Sequence, residues 1–150
     1  KKQEDYYKTK LPGKNKLKIL RLENVLGQGD INTNRLVPYF FSKVFANKIS
    51  NLNINSKKKG EYIFIEDCNK YIFNTSLDKT YKKNAFSTTY KNLIFRLSSI
   101  LEYEYNFYHD VFWNNQKIIN KKVDKTDKTN QNLIKLTNWY IKNKESFRVS

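Results

Sequence analysis

Residues 87–113 read STTYKNLIFRLSSILEYEYNFYHDVFW, and the fold class turns on how that run is taken. Tyr90, Leu93, Ile94, Leu97, Ile100, Leu101, Tyr105, Tyr108 and Phe112 recur at steps of three and four, which on an α-helix gathers them into one broad apolar stripe. Lys91, Arg96, Glu102 and Asp110 fall mostly outside it. Neither Gly nor Pro interrupts the run. Ser87, Thr88 and Thr89 offer oxygens to the first free N–H groups, and Asn114-Asn115 offers a stop. A helix over about 88–113 is expected, and the rest of the chain is placed against it.

A second stripe precedes it. In RLVPYFFSKVFANKISNL, about 35–52, Val37, Phe40, Phe41, Val44, Phe45, Ile49 and Leu52 share a helical face, with Asn32 or Asn34 as cap and Pro38 in the first turn. EYIFIEDCNKYIFN, about 61–74, reads as a β-hairpin in which Tyr62, Ile63, Phe64 and Ile65 face Tyr71, Ile72 and Phe73 across Asp67-Cys68-Asn69-Lys70. A last helix over about 131–143 turns Leu133, Leu136 and Tyr140 inward behind an Asn130 cap. LKILRLENVL, 17–26, alternates as a strand does, although its leucines leave a helix open. The expected architecture is α+β: one hairpin packed with three helices. Residues 1–16 read as an extended basic arm, 17–150 as a single domain, and about 114–130 as an exposed lysine-rich linker.

Composition narrows the functional classes. Lys and Arg number 29 against 14 Asp and Glu, a net charge of +15 that a polyanion partner would relieve. The single cysteine, Cys68, excludes an internal disulfide. Charged residues and asparagines break every apolar run well short of the roughly 18 residues of a membrane span. Lys, Asn, Ile, Tyr and Phe are abundant while Ala occurs only at Ala46 and Ala85, the signature of an AT-rich genome, which itself raises part of the lysine count. The chain begins at Lys1, so a processed or trimmed N-terminus is expected.

Catalytic groups are sparse. His109 is the only histidine, and its neighbour Asp110 would point about 100° away on a helix, so the two cannot grip one ion. Cys68 has no base nearby in sequence, and Glu102 and Glu104 lie on different helical faces. Gly27-Gln28-Gly29 lacks the third glycine and the Lys-Ser or Lys-Thr of a phosphate loop, so it reads as a plain loop.

The lysines instead gather where no apolar face exists. Lys8, Lys10, Lys14, Lys16, Lys18 and Arg21 lie in and just after the arm, Lys57, Lys58 and Lys59 in a loop, and Lys117, Lys121, Lys122, Lys125 and Lys128 in the linker. Each can neutralise a phosphate, with Tyr6 and Tyr7 free to stack on bases. The expectation is a non-catalytic RNA-binding subunit of a large ribonucleoprotein, an organellar ribosomal protein of the mitochondrial matrix. Its partners would be ribosomal RNA and neighbouring proteins, with no metal, cofactor, small-molecule substrate or transmembrane segment. Two alternatives share these features: an accessory subunit of an organellar membrane complex, and a fragment of a nucleic-acid-processing enzyme.

Overall fold

The computed structural model describes residues 2–10, 17–22, 24–46, 49–52 and 57–147. Within them the elements in chain order are α1 (Lys2–Lys10), β1 (Asn24–Leu26), α2 (Leu36–Ala46), β2 (Ile49–Leu52), β3 (Lys59–Phe64), α3 (Ile65–Ser76), β4 (Ala85–Thr89), α4 (Tyr90–Tyr105), β5 (Asp110–Trp113), β6 (Gln116–Lys117) and α5 (Lys128–Lys142), then a 3-10 turn (Lys144–Phe147). The α+β class holds. No helix among the described residues is long and apolar enough to cross a membrane.

The central stripe folds as α4, which buries Leu93, Ile94, Leu97, Ile100 and Leu101. The Thr89 hydroxyl accepts from Asn92 N at 3.1 Å, the expected cap. The helix ends earlier than 113. Asn106 turns left-handed at φ 51, Phe107 N donates to the Leu101 carbonyl at 2.9 Å, and the chain leaves as β5. Val111 and Trp113 then point inward with period two. Phe112 had satisfied the helical spacing by coincidence.

The expected helix over 35–52 likewise divides. Its first part is α2, with Pro38 in the first turn and Val37, Phe40, Phe41 and Val44 buried. Its last part is β2, parallel to β5, with Leu52 opposite Trp113. Burying each such Phe is worth roughly 1.5–3 kcal/mol. That is why both stripes dominate the core.

The hairpin over 61–74 is not formed. β3 is a strand, but the residues after it wind into α3, where Glu66 and Asp67 sit in the first turn and favour the positive end of the helix. The antiparallel partner of β3 is β4, with Lys59 opposite Thr89 and Ile63 opposite Ala85. β1 pairs with the other edge of β3 in parallel, Asn24 opposite Tyr62. The two sheets are ordered β1-β3-β4 and β2-β5-β6.

Both basic segments also differ from expectation. Residues 2–10 form α1, with Glu4 and Asp5 in its first turn and no apolar face, while 11–16 lie outside the described residues. Residues 17–22 carry no regular element, and the strand of that region is the short β1. In the linker, Asn114 and Asn115 adopt φ 48 and 65 and join β5 to β6, after which Ile118 is buried, its N–H donating to the Val111 carbonyl at 2.8 Å. α5 starts before 131 because Asp127, not Asn130, is its cap: Asn130 N donates to Asp127 Oδ1 at 2.8 Å. α5 lies against α4, with Leu133, Leu136 and Tyr140 buried.

Candidate ligand-binding cleft

A cleft of about 400 Å³ opens where the end of β1, the loop 27–35, the start of α2, Lys58, Tyr62 of β3 and the first residue of α4 meet. The sequence produces it locally. Asp30, Asn32, Thr33 and Asn34 are residues that bend a chain by bonding their own backbone, as Asn32 N does to Asp30 Oδ1 at 3.3 Å and Asn34 N to Asn32 Oδ1 at 3.0 Å. The apolar stripe of α2 then starts at Leu36 and pulls its face into the core, leaving the helix start at the cleft.

Two cations line it. The Arg35 guanidinium meets Asp30 Oδ2 at 2.9 Å through Nη1 and donates to the Val25 carbonyl at 2.9 Å through Nη2. Its other N–H groups are available to a planar anion. Lys58 holds its ammonium 5.2 Å from the centre of the Tyr90 ring, while its carbonyl accepts from Tyr90 N at 2.9 Å. Tyr62 is buried beneath the cleft, and burial, then the charge of Tyr90, pushes its hydroxyl pKa well up, so it is a neutral donor at physiological pH. Leu36 and Val37 bring the N-terminal end of α2 to the wall, and its partial positive charge has the same sign as the two cations. The Asp30 carboxylate lines the cleft as well and offsets part of this positive charge.

Among the described residues, Lys58 is the one lysine of those singled out from the sequence that reaches this cleft. Lys8 and Lys10 belong to α1, and Lys14 and Lys16 fall outside the described residues. Lys18 is held by the Asp78 carboxylate and the Thr75 carbonyl, and Arg21 pairs with Glu4 at 2.6 Å. Lys57 and Lys59 are exposed beside Lys58. Lys117 pairs with Asp110 at 2.7 Å and Lys125 with Glu104 at 2.5 Å, whereas Lys121, Lys122 and Lys128 are exposed.

Sequence reasoning missed Arg35, Asp30, Asn24, Tyr62 and Tyr90. The available signal was the polar run 30–35 between a strand and an apolar helix, next to the two glycines. The glycines themselves do not line the cleft. A Cβ on Gly27 would stand 2.8 Å from Ile65 Cβ, so its role is close packing, and the plain-loop reading of 27–29 holds.

The other candidates give no catalytic set. His109 is half-buried; burial lowers its pKa against the opposing pull of Asp110, and its Nε2 has no partner among the described residues. Cys68 is buried in α3. Glu102 accepts from Asn120 Nδ2 at 2.6 Å, and Glu104 is engaged with Lys125. No cluster of three His, Cys, Asp or Glu side chains able to hold a metal occurs among the described residues.

No family model matches the chain, and no curated protein does. Among solved structures it is similar to one described as a novel NAD-dependent NDP-hexosamine 5,6-dehydratase, TunA, involved in tunicamycin biosynthesis. The TM-score is 0.53 at 13% identity, over 81% of this chain and 44% of that one. The likeness is one of fold. The chain spans less than half the length of that protein.

Proposed function

We propose that this chain forms the ligand-holding part of an enzyme acting on a nucleoside-diphosphate sugar, with the diphosphate seated between Arg35 and Lys58. The observation that carries the reading is the cleft itself, which joins two cations, a helix N-terminus and tyrosine rings in about 400 Å³. That volume lies in the range of small-molecule sites. A guanidinium fixed by Asp30 and Val25 presents its remaining donors in the fork that phosphate oxygens accept. The start of α2 adds peptide N–H groups and dipole. Tyr39 and Tyr90, each with a lysine ammonium over one side of the ring at 5.5 and 5.2 Å, line the cleft with rings against which a base or sugar packs. The fold likeness to an NDP-hexosamine dehydratase is the reason for preferring a sugar nucleotide over other diphosphates. The cleft's cations form one set and serve one diphosphate, so the proposal concerns the sugar nucleotide and not NAD. A small anionic substrate was outside the expectation drawn from composition.

The test is a two-dimensional amide NMR titration with a UDP-hexosamine. Resonances of residues 24–26, 30–37, 58, 62 and 90 are expected to move together and saturate. Shifts confined to residues 117–128 would instead place the anion on the linker lysines.

That second outcome is the signature of the ribonucleoprotein reading, which one observation favours: Lys121, Lys122 and Lys128 stand exposed along a polar segment. Under it, changing Lys121 and Lys122 to Gln weakens RNA binding and flattens its salt dependence by about one unit of slope per lost phosphate contact. An unchanged slope removes that reading.

A further inference from the structure

The cleft's arginine is held by a residue that never reaches the cleft. Tyr140 lies in α5, which contributes no side chain to the cleft wall. Its ring is stacked on Phe41 of α2, with centroids 4.1 Å apart and planes 11° from parallel, and is flanked edge-on by Trp139 and at a tilt by Phe147. A ring so confined has one place to aim its hydroxyl. It donates to the Asp30 carbonyl at 2.8 Å. Asp30 in turn receives Arg35 on its carboxylate, and Arg35 closes the chain on the Val25 carbonyl. The loop 27–35 has no regular structure of its own; apart from the Arg35 carbonyl, which accepts from Tyr39 N of α2 at 2.9 Å, its other bonds run between its own members.

We infer that Tyr140 is a positioning residue of this site: through Asp30 it sets the angle at which the Arg35 guanidinium meets an anionic ligand. The inference rests on the reading of the cleft given above. A loop cation that must be ordered at binding loses affinity to that ordering, and a fixed one does not. The bond from α5 to Asp30 is a part-buried tether, so removing it loosens the loop without touching any ligand-facing atom.

The test is a double-mutant cycle on the full chain, with UDP and inorganic pyrophosphate as probes. Tyr140→Phe, which keeps the ring and removes the donor, is expected to weaken binding roughly three- to tenfold when Arg35 is present. Combined with Arg35→Gln it is expected to add less than about twofold, because the tether then holds nothing that binds. Losses that simply add would overturn the inference while leaving the cleft reading intact. Wild-type protein that binds neither probe would overturn both. A ligand-free readout separates positioning from general destabilisation: in Tyr140→Phe, amide hydrogen exchange at residues 30–35 should quicken while the slowest amides of α4 keep their rates. Equal changes in both regions, or none in the loop, would also overturn it.

Discussion

The hydroxyl of Tyr140 and the carbonyl of Asp30 lie 2.8 Å apart although 110 positions separate them in the chain. This bond joins the last helix to the loop that carries the cleft's arginine, and it makes Tyr140 both a core ring and a tether.

The two roles separate by substitution. Tyr140→Phe loses one hydrogen bond and leaves the Asp30 carbonyl unpaired, a cost of about 1–2 kcal/mol, while Tyr140→Ala also empties a site shared with Phe41 and Phe147 and should cost about 3–5 kcal/mol. Urea unfolding of both variants checks this ordering, and equal losses would show that the ring contributes little.

Alkaline pH should weaken the fold. Burial raises the pKa of Tyr62, Tyr105 and Tyr140 above the ordinary 10.0, so the folded protein keeps protons that the unfolded chain releases. Their contribution is complete below pH 10.0 and is lost as pH rises beyond it. Melting temperature followed from pH 9 to 11.5 should fall above pH 10, and less steeply in Tyr140→Phe.

His109 carries the opposite sign. Burial holds its pKa below 6.5, so its contribution is present above pH 6.5 and is lost as pH falls through the lowered value. An NMR titration of the ring protons should give a midpoint below 6.5; a midpoint above it would mean that Asp110 outweighs burial.

Gly27 should resist substitution for a steric reason. An added methyl group would meet Ile65 Cβ at 2.8 Å and Cγ2 at 2.9 Å, so Gly27→Ala is expected to cost about 1–3 kcal/mol. Ile65→Ala in the same chain should recover part of that loss. Calorimetric melting of the single and double variants decides it.

The sequence was most readable where periodicity had one solution. The mid-stripe residues of α4 and α2 are buried as their spacing requires, and Leu97, fully buried, marks the centre. Leu97→Asp should unfold the chain or cost several kcal/mol. Periodicity failed where two periods agreed: Phe112 and Leu52 fit a helix face, yet each belongs to a strand fixed by partners far along the chain. Glu66 to Lys70 failed for another reason, since apolar runs on both sides suggested strands while the intervening residues favoured a helix start. The cleft was the least legible part. Arg35 and Lys58 come together only through the pairing of β1 with β3 and the packing of α2, and no local pattern encodes that meeting.

The most direct measurement is a calorimetric titration of the chain with a UDP-hexosamine, repeated on Arg35→Gln and Lys58→Gln. The expected result is saturable one-to-one binding that weakens roughly tenfold to a hundredfold in Arg35→Gln and more modestly in Lys58→Gln. Absence of binding to the wild-type chain, or equal affinity in all three proteins, would contradict the assignment of a nucleoside-diphosphate sugar to this cleft.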